Sequence, residues 1–261
     1  MYRNLLTLTI LLSIAGNLQA GNFVVNAICY ETAKNNSSVS VAVCEISDTV
    51  LSLPERVEWQ GKSYRVEAIS PYAFLNCRQL KTIEIPASCI FLNAIAFLNC
   101  SSLENIFVAD ENPEYCDVDG VLFNSGMTDL VFYPRCKKAT KYKIPQSVKT
   151  IRKDAFFKNQ FLEDVEWPVN LNQICNEAFI GCNSLKSVCF PSGIEYVGDY
   201  AFYDCNNLMT VNVANCSFFS FSEQTFSFKT KHYGKVVVQS SNERFLDAFR
   251  KSGFENIVMC N

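Results

Sequence analysis

A recurring Ala-Phe dipeptide constrains this 261-residue chain more than any other feature. It occurs as Ala73-Phe74, Ala96-Phe97, Ala155-Phe156, Ala178-Phe179 and Ala201-Phe202, with successive Phe residues 23, 59, 23 and 23 positions apart. The interval of 59 divides into one longer unit of 36 and one of 23, and a weakened sixth unit follows 24 residues on at Thr225-Phe226. Five other columns run in register. Three residues after each Phe stand Cys77, Cys100, Asn159, Cys182 and Cys205; six after, Leu80, Leu103, Leu162, Leu185 and Leu208. Nine after come Ile83, Ile106, Val165, Val188 and Val211; eleven after, Ile85, Val108, Trp167, Phe190 and Val213. Five before the Phe come Ile69, Leu92, Ile151, Ile174 and Val197. Chance does not align five such columns, so the chain is an array of repeated units.

The physics of one unit follows from its spacings. Phe, Cys and Leu three residues apart share one face of a short helical turn. The apolar pair at nine and eleven alternates with polar residues, the period of a strand, and Pro86, Pro168 and Pro191 then stop it. One unit buries too little surface to fold alone. Units must stack, each strand pairing in parallel with the next about 4.8 Å away, around the Phe column as an internal spine.

Composition narrows the function. With 49% hydrophobic and 19% charged residues the chain forms a core. A net charge of −3 gives no basic excess for nucleic acid. One His excludes any site built from two or three, and ten scattered Gly form no phosphate-cradling loop. No nucleophile-elbow or Walker-type motif occurs. Asp117-x-Asp119-Gly120 resembles a fragment of a calcium loop, but Tyr115 and Gly126 occupy ligand positions, so it reads as a hairpin turn. His232 lies in a polar stretch and reads as a solvated side chain. No catalytic, cofactor or metal residues are expected.

At the start, Arg3 precedes the apolar run Leu5–Ala15, too short to span a bilayer and suited to a secretory signal. Cleavage is expected after Ala20, with Ala15 and Gly16 as alternatives. No later stretch is apolar enough to span a membrane.

The pattern I-x4-A-F-x2-C-x2-L-x2-I-x-I-P resembles the BspA-type leucine-rich repeats of bacterial surface proteins, over about residues 55–240. The resemblance implies an α/β solenoid. Its right-handed superhelix would consist of about 23-residue strand-plus-short-helix units, with an N-terminal β cap and a C-terminal helical cap. The expected domains are a signal peptide (1–20), a hairpin cap around Asn35-Asn36-Ser37-Ser38 (21–54) and the solenoid (55–240), with a long variant unit at about 107–134. A helix-strand cap follows at 241–261, opened by a Ser240-Ser241-Asn242-Glu243 capping box, its helix covering the last strand edge.

Thirteen Cys in an exported chain invite disulfides. The column Cys residues read as buried thiols, with cross-rung bonds as the alternative, and Cys89 shares another apolar column with Val66, Val148, Leu171 and Ile194. Cys29 with Cys44 and Cys116 with Cys136 are each equidistant from a turn and are disulfide candidates; Cys189 is an exposed thiol. Asn35, Asn36, Asn99 and Asn215 sit in Asn-x-Ser sequons, which matter only in a host that glycosylates.

A partner would meet the strand positions between the buried ones: Thr82/Glu84, Asn105/Phe107, Asp164/Glu166, Ser187/Cys189 and Thr210/Asn212. Aligning Tyr133-Pro134 with Ile85-Pro86 adds Leu130/Phe132. Phe107 and Phe132 then either form an apolar contact site or are covered by residues 109–126 as a satellite core. A second cluster, Phe218, Phe219, Phe221, Phe226 and Phe228, packs the last unit or forms a patch. The expected partner-binding residues are Phe107, Phe132, Leu130, Glu84, Asp164 and Glu166. The resemblance implies a non-enzymatic, monomeric, secreted or cell-surface (or periplasmic) protein. It would adhere to a protein or glycan of host or neighbouring cells; the alternative is an enzyme inhibitor or a solenoid-scaffold enzyme acting on extracellular polymers.

Overall fold

The structure, a computed structural model, describes residues 22–260 apart from Glu45, Asn76, Leu98, Asn99, Phe218 and Ser240. The expected signal peptide lies outside the described residues, as do one sequon Asn and the first Phe of the late aromatic cluster. The chain forms two compact units: residues 1–101 with 109–113, and residues 102–108 with 114–261.

The first unit contains β1 (Asn22–Val25), β2 (Ile28–Thr32), β3 (Ser38–Cys44), β4 (Val50–Ser52), β5 (Arg56–Trp59), β6 (Lys62–Ile69), β7 (Thr82–Ile85) and β8 (Phe91–Leu92). β1, β2 and β3 form an antiparallel meander, and β3 then pairs in parallel with β6, and β6 with β8. β5 and β6 form a hairpin whose turn residues, Gln60 and Gly61, are both left-handed at φ 49° and 75°, the conformation a tight two-residue hairpin requires. Cys29 lies opposite Val43, and Cys44 opposite Ile28. That one-residue offset puts the two thiols on opposite faces, so the expected bond does not form and all thirteen Cys are free thiols. Cys44 instead joins the thiol column: Cys77 Sγ donates to Cys44 O at 3.2 Å, and Cys100 Sγ to Phe74 O at 3.1 Å. Phe74 and Phe97 stack with centroids 5.6 Å apart.

The second unit opens with β9 (Asn105–Val108), β10 (Tyr115–Val118), β11 (Val121–Asn124) and β12 (Asp129–Phe132). The repeats follow as β13 (Lys141–Lys143), β14 (Thr150–Ile151), β15 (Asp164–Glu166), β16 (Gln173–Ile174), β17 (Ser187–Cys189), β18 (Tyr196–Val197) and β19 (Thr210–Asn212). Helix α1 (Phe228–Tyr233), β20 (Lys235–Gln239), α2 (Glu243–Lys251) and β21 (Ile257–Cys260) close it. Each turn contributes two strands. The expected alternating strands pair in parallel as β13–β15 and as β17–β19–β20–β21. A second parallel ladder runs β12–β14–β16–β18; β14, β16 and β18 come from the column five residues before the Phe, and these two-residue strands are too short to show an alternation in sequence.

The spine lies between the ladders. Tyr133, Phe156, Phe179, Phe202 and Phe226 stack in series with centroid separations of 4.9, 4.3, 5.1 and 5.5 Å. Cys182 and Cys205 each donate, at 3.0 Å, to the carbonyl of the Phe 26 residues earlier. Burial pushes the Cys205 thiol well above its ordinary range, as it pushes Cys100 up to about 12 in the first unit, so both stay protonated donors at neutral pH. Asn159 fills the same place with four bonds, donating to Pro134 O and Arg135 O and accepting from the Phe161 and Leu162 amides.

The short helices expected in each unit are replaced by turns. Asp154, Glu177 and Tyr200, just before their Ala-Phe pairs, have φ of 60°, 61° and 57°. Lys158, Gly181 and Asp204, two residues after the Phe, have φ of 51°, 72° and 58°. Left-handed residues on both sides leave no room for a right-handed helix. Among the described residues of the repeats only Ala94–Phe97 winds into a 3-10 helix.

The long turn departs most from expectation. Leu130 pairs with Ile151 and so belongs to the second ladder, and Tyr133, 23 residues before Phe156, takes the spine place. Leu130 and Phe132 are therefore buried, Phe132 facing Leu122 of β11. Two hairpins, not one centred on Gly126, form the β10–β11–β12 meander. Cys116 donates to Asn124 O within it, while Cys136 sits three residues after Tyr133 in the thiol-column place, and the expected bond between them is absent.

At the far end Asn242 caps α2, its Oδ1 accepting the Phe245 amide; Ser240 of the expected capping box lies outside the described residues. The helix buries Phe245, Leu246 and Phe249. It crosses from β20 to β21 instead of covering an edge, so β21 is the end strand of its sheet.

Candidate functional site

The corrected register sets the chemistry of the sheet face. Lys141 pairs with Asp164 and Lys143 with Glu166 across β13–β15, and Ser187 with Thr210 and Cys189 with Asn212 across β17–β19. The long turn therefore contributes two lysines where Leu130 and Phe132 were expected. Lys141 Nζ lies 4.0 Å from Asp164 Oδ2, and Lys143 Nζ donates to Glu166 Oε1. A third pair, Lys186 with Glu163 at 2.5 Å, repeats the motif one turn on. These side chains are substantially exposed, so each pair adds at most about 1 kcal/mol to stability. What they define is a surface of alternating charge.

Beside them β15 and β17 belong to separate ladders, and a groove of about 610 Å³ is lined by residues of both. Lys143 and Glu166 supply charge, Cys189 and Asn215 supply small polar groups, and Trp167 and Phe190 form apolar wall. Trp167 is buried, its ring edge-on to Phe179 at 5.5 Å, and its indole N–H has no acceptor among the described residues. Other units place Val213 or Phe190 at this position, so this turn alone brings a polar hydrogen there.

The other expected residues are dispersed. Phe107 on β9 is 42% exposed, whereas Phe132 is buried. The neighbouring hairpin turn at Asp119-Gly120 is held by Asp117, which accepts the Val108 and Gly120 amides through its two carboxylate oxygens. Glu84 is exposed on β7 of the first unit. His232 lies on α1, hydrogen-bonded to Glu255, and is not a freely solvated side chain. Among the described residues no three His, Cys, Asp or Glu side chains gather as metal ligands, and no helix is long and apolar enough to cross a membrane. Sequence reasoning missed Lys141, Lys143 and the Trp167 donor. The available signal was the 23-residue step from Tyr133 to Phe156, with Cys136 and Ile144-Pro145 continuing the columns.

Parallel two-strand turns of 23 residues, stacked on an aromatic spine and a column of thiol and amide donors, define a leucine-rich-repeat solenoid. Residues 57–117 and 127–260 match the BspA type leucine rich repeat region in six copies, and the chain belongs to that family. A leucine-rich repeat protein from Eubacterium ventriosum is similar in structure, with 25% identity and a TM-score of 0.57 over 68% of this chain. This chain spans 47% of that protein. The pneumococcal vaccine antigen PcpA is similar in fold, at 16% identity and a TM-score of 0.53, covering 94% of this chain and 100% of its own. Comparison with curated proteins returns no match.

Proposed function

We propose that the protein is an exported, surface-acting binding module that engages a protein or glycan of host or neighbouring cells through the sheet face of its second unit. The observation that carries this reading is the groove beside Trp167, bordered by the Lys141–Asp164 and Lys143–Glu166 pairs. The Trp167 and Phe190 rings wall this groove, so a partner seated in it meets an apolar surface beside paired charges. Alternating charge gives a partner register and selects against mismatched surfaces. Membership of a bacterial surface-type repeat family supports export and recognition over catalysis.

The test uses the scarcity of tryptophan. The chain has two, Trp59 and Trp167. With Trp59→Phe, intrinsic fluorescence reports the groove alone. Partners are captured on the immobilised protein from host-matrix and neighbouring-cell extracts, and the recovered partner is titrated against this variant. Saturable change in Trp167 emission, with affinity lost on Trp167→Phe, supports the reading; a captured partner that leaves the emission unchanged overturns the siting.

A further inference from the structure

The exposed aromatic rings of the second unit are concentrated away from the groove. Five are exposed among its described residues: Phe107, Tyr200, Tyr203, Phe228 and Tyr233. Four of them gather around α1. Tyr203 and Phe228 line one cavity of about 560 Å³. Tyr200 meets Tyr203 edge-on at 5.5 Å, and Tyr233 stands 6.5 Å from His232, which lines the same cavity. Exposing large rings is unfavourable, and their clustering on one surface marks a contact site.

The cavity is also shaped. Its floor is Phe226 and Phe254, both buried and edge-to-face at 5.5 Å. Phe228 is 66% exposed, yet one side of its ring is backed by the His232 imidazole at 3.9 Å, which Glu255 holds through a hydrogen bond. The ring is thus a largely exposed platform with a backing imidazole. Around the rim stand Glu223, Gln224, Lys231, Arg250 and Glu255. Two carboxylates balance two cations, and an amide adds both a donor and an acceptor.

We propose that this cavity is a saccharide-binding site, separate from the sheet-face groove. A sugar ring offers a C–H face that packs on an aromatic ring and hydroxyls that need acceptors as well as donors. The platform supplies the first and the mixed rim the second. Balanced rim charge disfavours a polyanion or polycation, and the volume lies within the roughly 300–1,000 Å³ range of small-ligand clefts, enough for one or two sugar rings.

The test applies the full chain to an array of neutral, sialylated and bacterial cell-wall saccharides, followed by saturation-transfer NMR on any saccharide bound. Phe228→Ala, at an exposed position that leaves the fold intact by circular dichroism, is expected to weaken binding about tenfold or more. Phe228→Tyr is expected to retain it, and Glu255→Gln, which loosens the backing His232, to weaken it. Phe228→Ala leaves the captured partner's effect on Trp167 emission unchanged, so failure here is distinguishable from failure of the sheet-face reading. No bound saccharide, or equal binding by Phe228→Ala, overturns the proposal. So does a protein partner that depends on Phe228 and is not displaced by any saccharide, since the rings are then a protein-binding hot spot.

Discussion

The turn built on Tyr133 and the turns built on Phe156 and Phe179 share an interior and differ outside. Inside, all three carry a stacked ring, a backbone bond from that ring's amide to the next turn's Ala carbonyl, and a polar or thiol group three residues on. Outside, the Tyr133 turn presents Lys141 and Lys143, whereas the Phe156 turn presents Asp164 and Glu166 and the Phe179 turn Ser187 and Cys189. The interior is over-determined by packing, so a 36-residue unit fits beside 23-residue ones. The exterior is unconstrained by packing and carries whatever chemistry recognition requires.

The comparison breaks most visibly at the spine. Phe179 is fully buried between Phe156 and Phe202, so Phe179→Ala should cost about 3–5 kcal/mol in urea denaturation. Tyr133→Phe should instead gain about 1 kcal/mol, because the Tyr133 hydroxyl is buried without a partner among the described residues. A loss of stability there would show that the long turn's ring is not equivalent to the others.

The donor column gives the next largest difference. Asn159 makes four bonds where Cys182 donates one. Removing it strands the buried Leu162 amide, so Asn159→Ala should cost about 2–3 kcal/mol against about 1 for Cys182→Ala. Equal costs would make the column mere filler.

A smaller effect separates the left-handed positions. Burial, and then the neighbouring Glu177 carboxylate, raise the Asp154 carboxyl to about 6, against about 3.9 in an unfolded chain. The folded state therefore holds its proton more tightly. Stability from this group is highest below about pH 4, declines as pH rises to about 6, and stays reduced above. Asp154→Asn, compatible with its φ of 60°, should raise thermal stability at pH 7 and not at pH 3. Solvent screening of this half-buried group keeps the gain below about 1 kcal/mol.

How far the sequence was readable follows the same division. The Phe, Leu and Val columns were legible because large apolar side chains at periods of three and two leave few packings. Tyr133 was hidden because Phe132 fills the place of the small Ala, and misplacing it moved Leu130 and Phe132 onto a face they do not occupy. The charged face followed from that register and was lost with it. Cys44 was mistaken for a disulfide partner because hairpin symmetry says nothing of the β2–β3 offset. The cleft at α1 was out of reach in another way: Tyr203, Phe228 and Phe254 meet only through the path of the last turns. His232, which read as a solvated residue, becomes the support of an exposed ring only there.

The central claim, that recognition lies on the alternating-charge face and not in the interior columns, is tested most directly by the exchange Lys143→Glu with Glu166→Lys. The exchange keeps the ion pair, the net charge and the packing while reversing the surface pattern. Unchanged urea denaturation together with at least a tenfold rise in Kd for the captured partner is the predicted result; a Kd equal to that of the unaltered protein would contradict it.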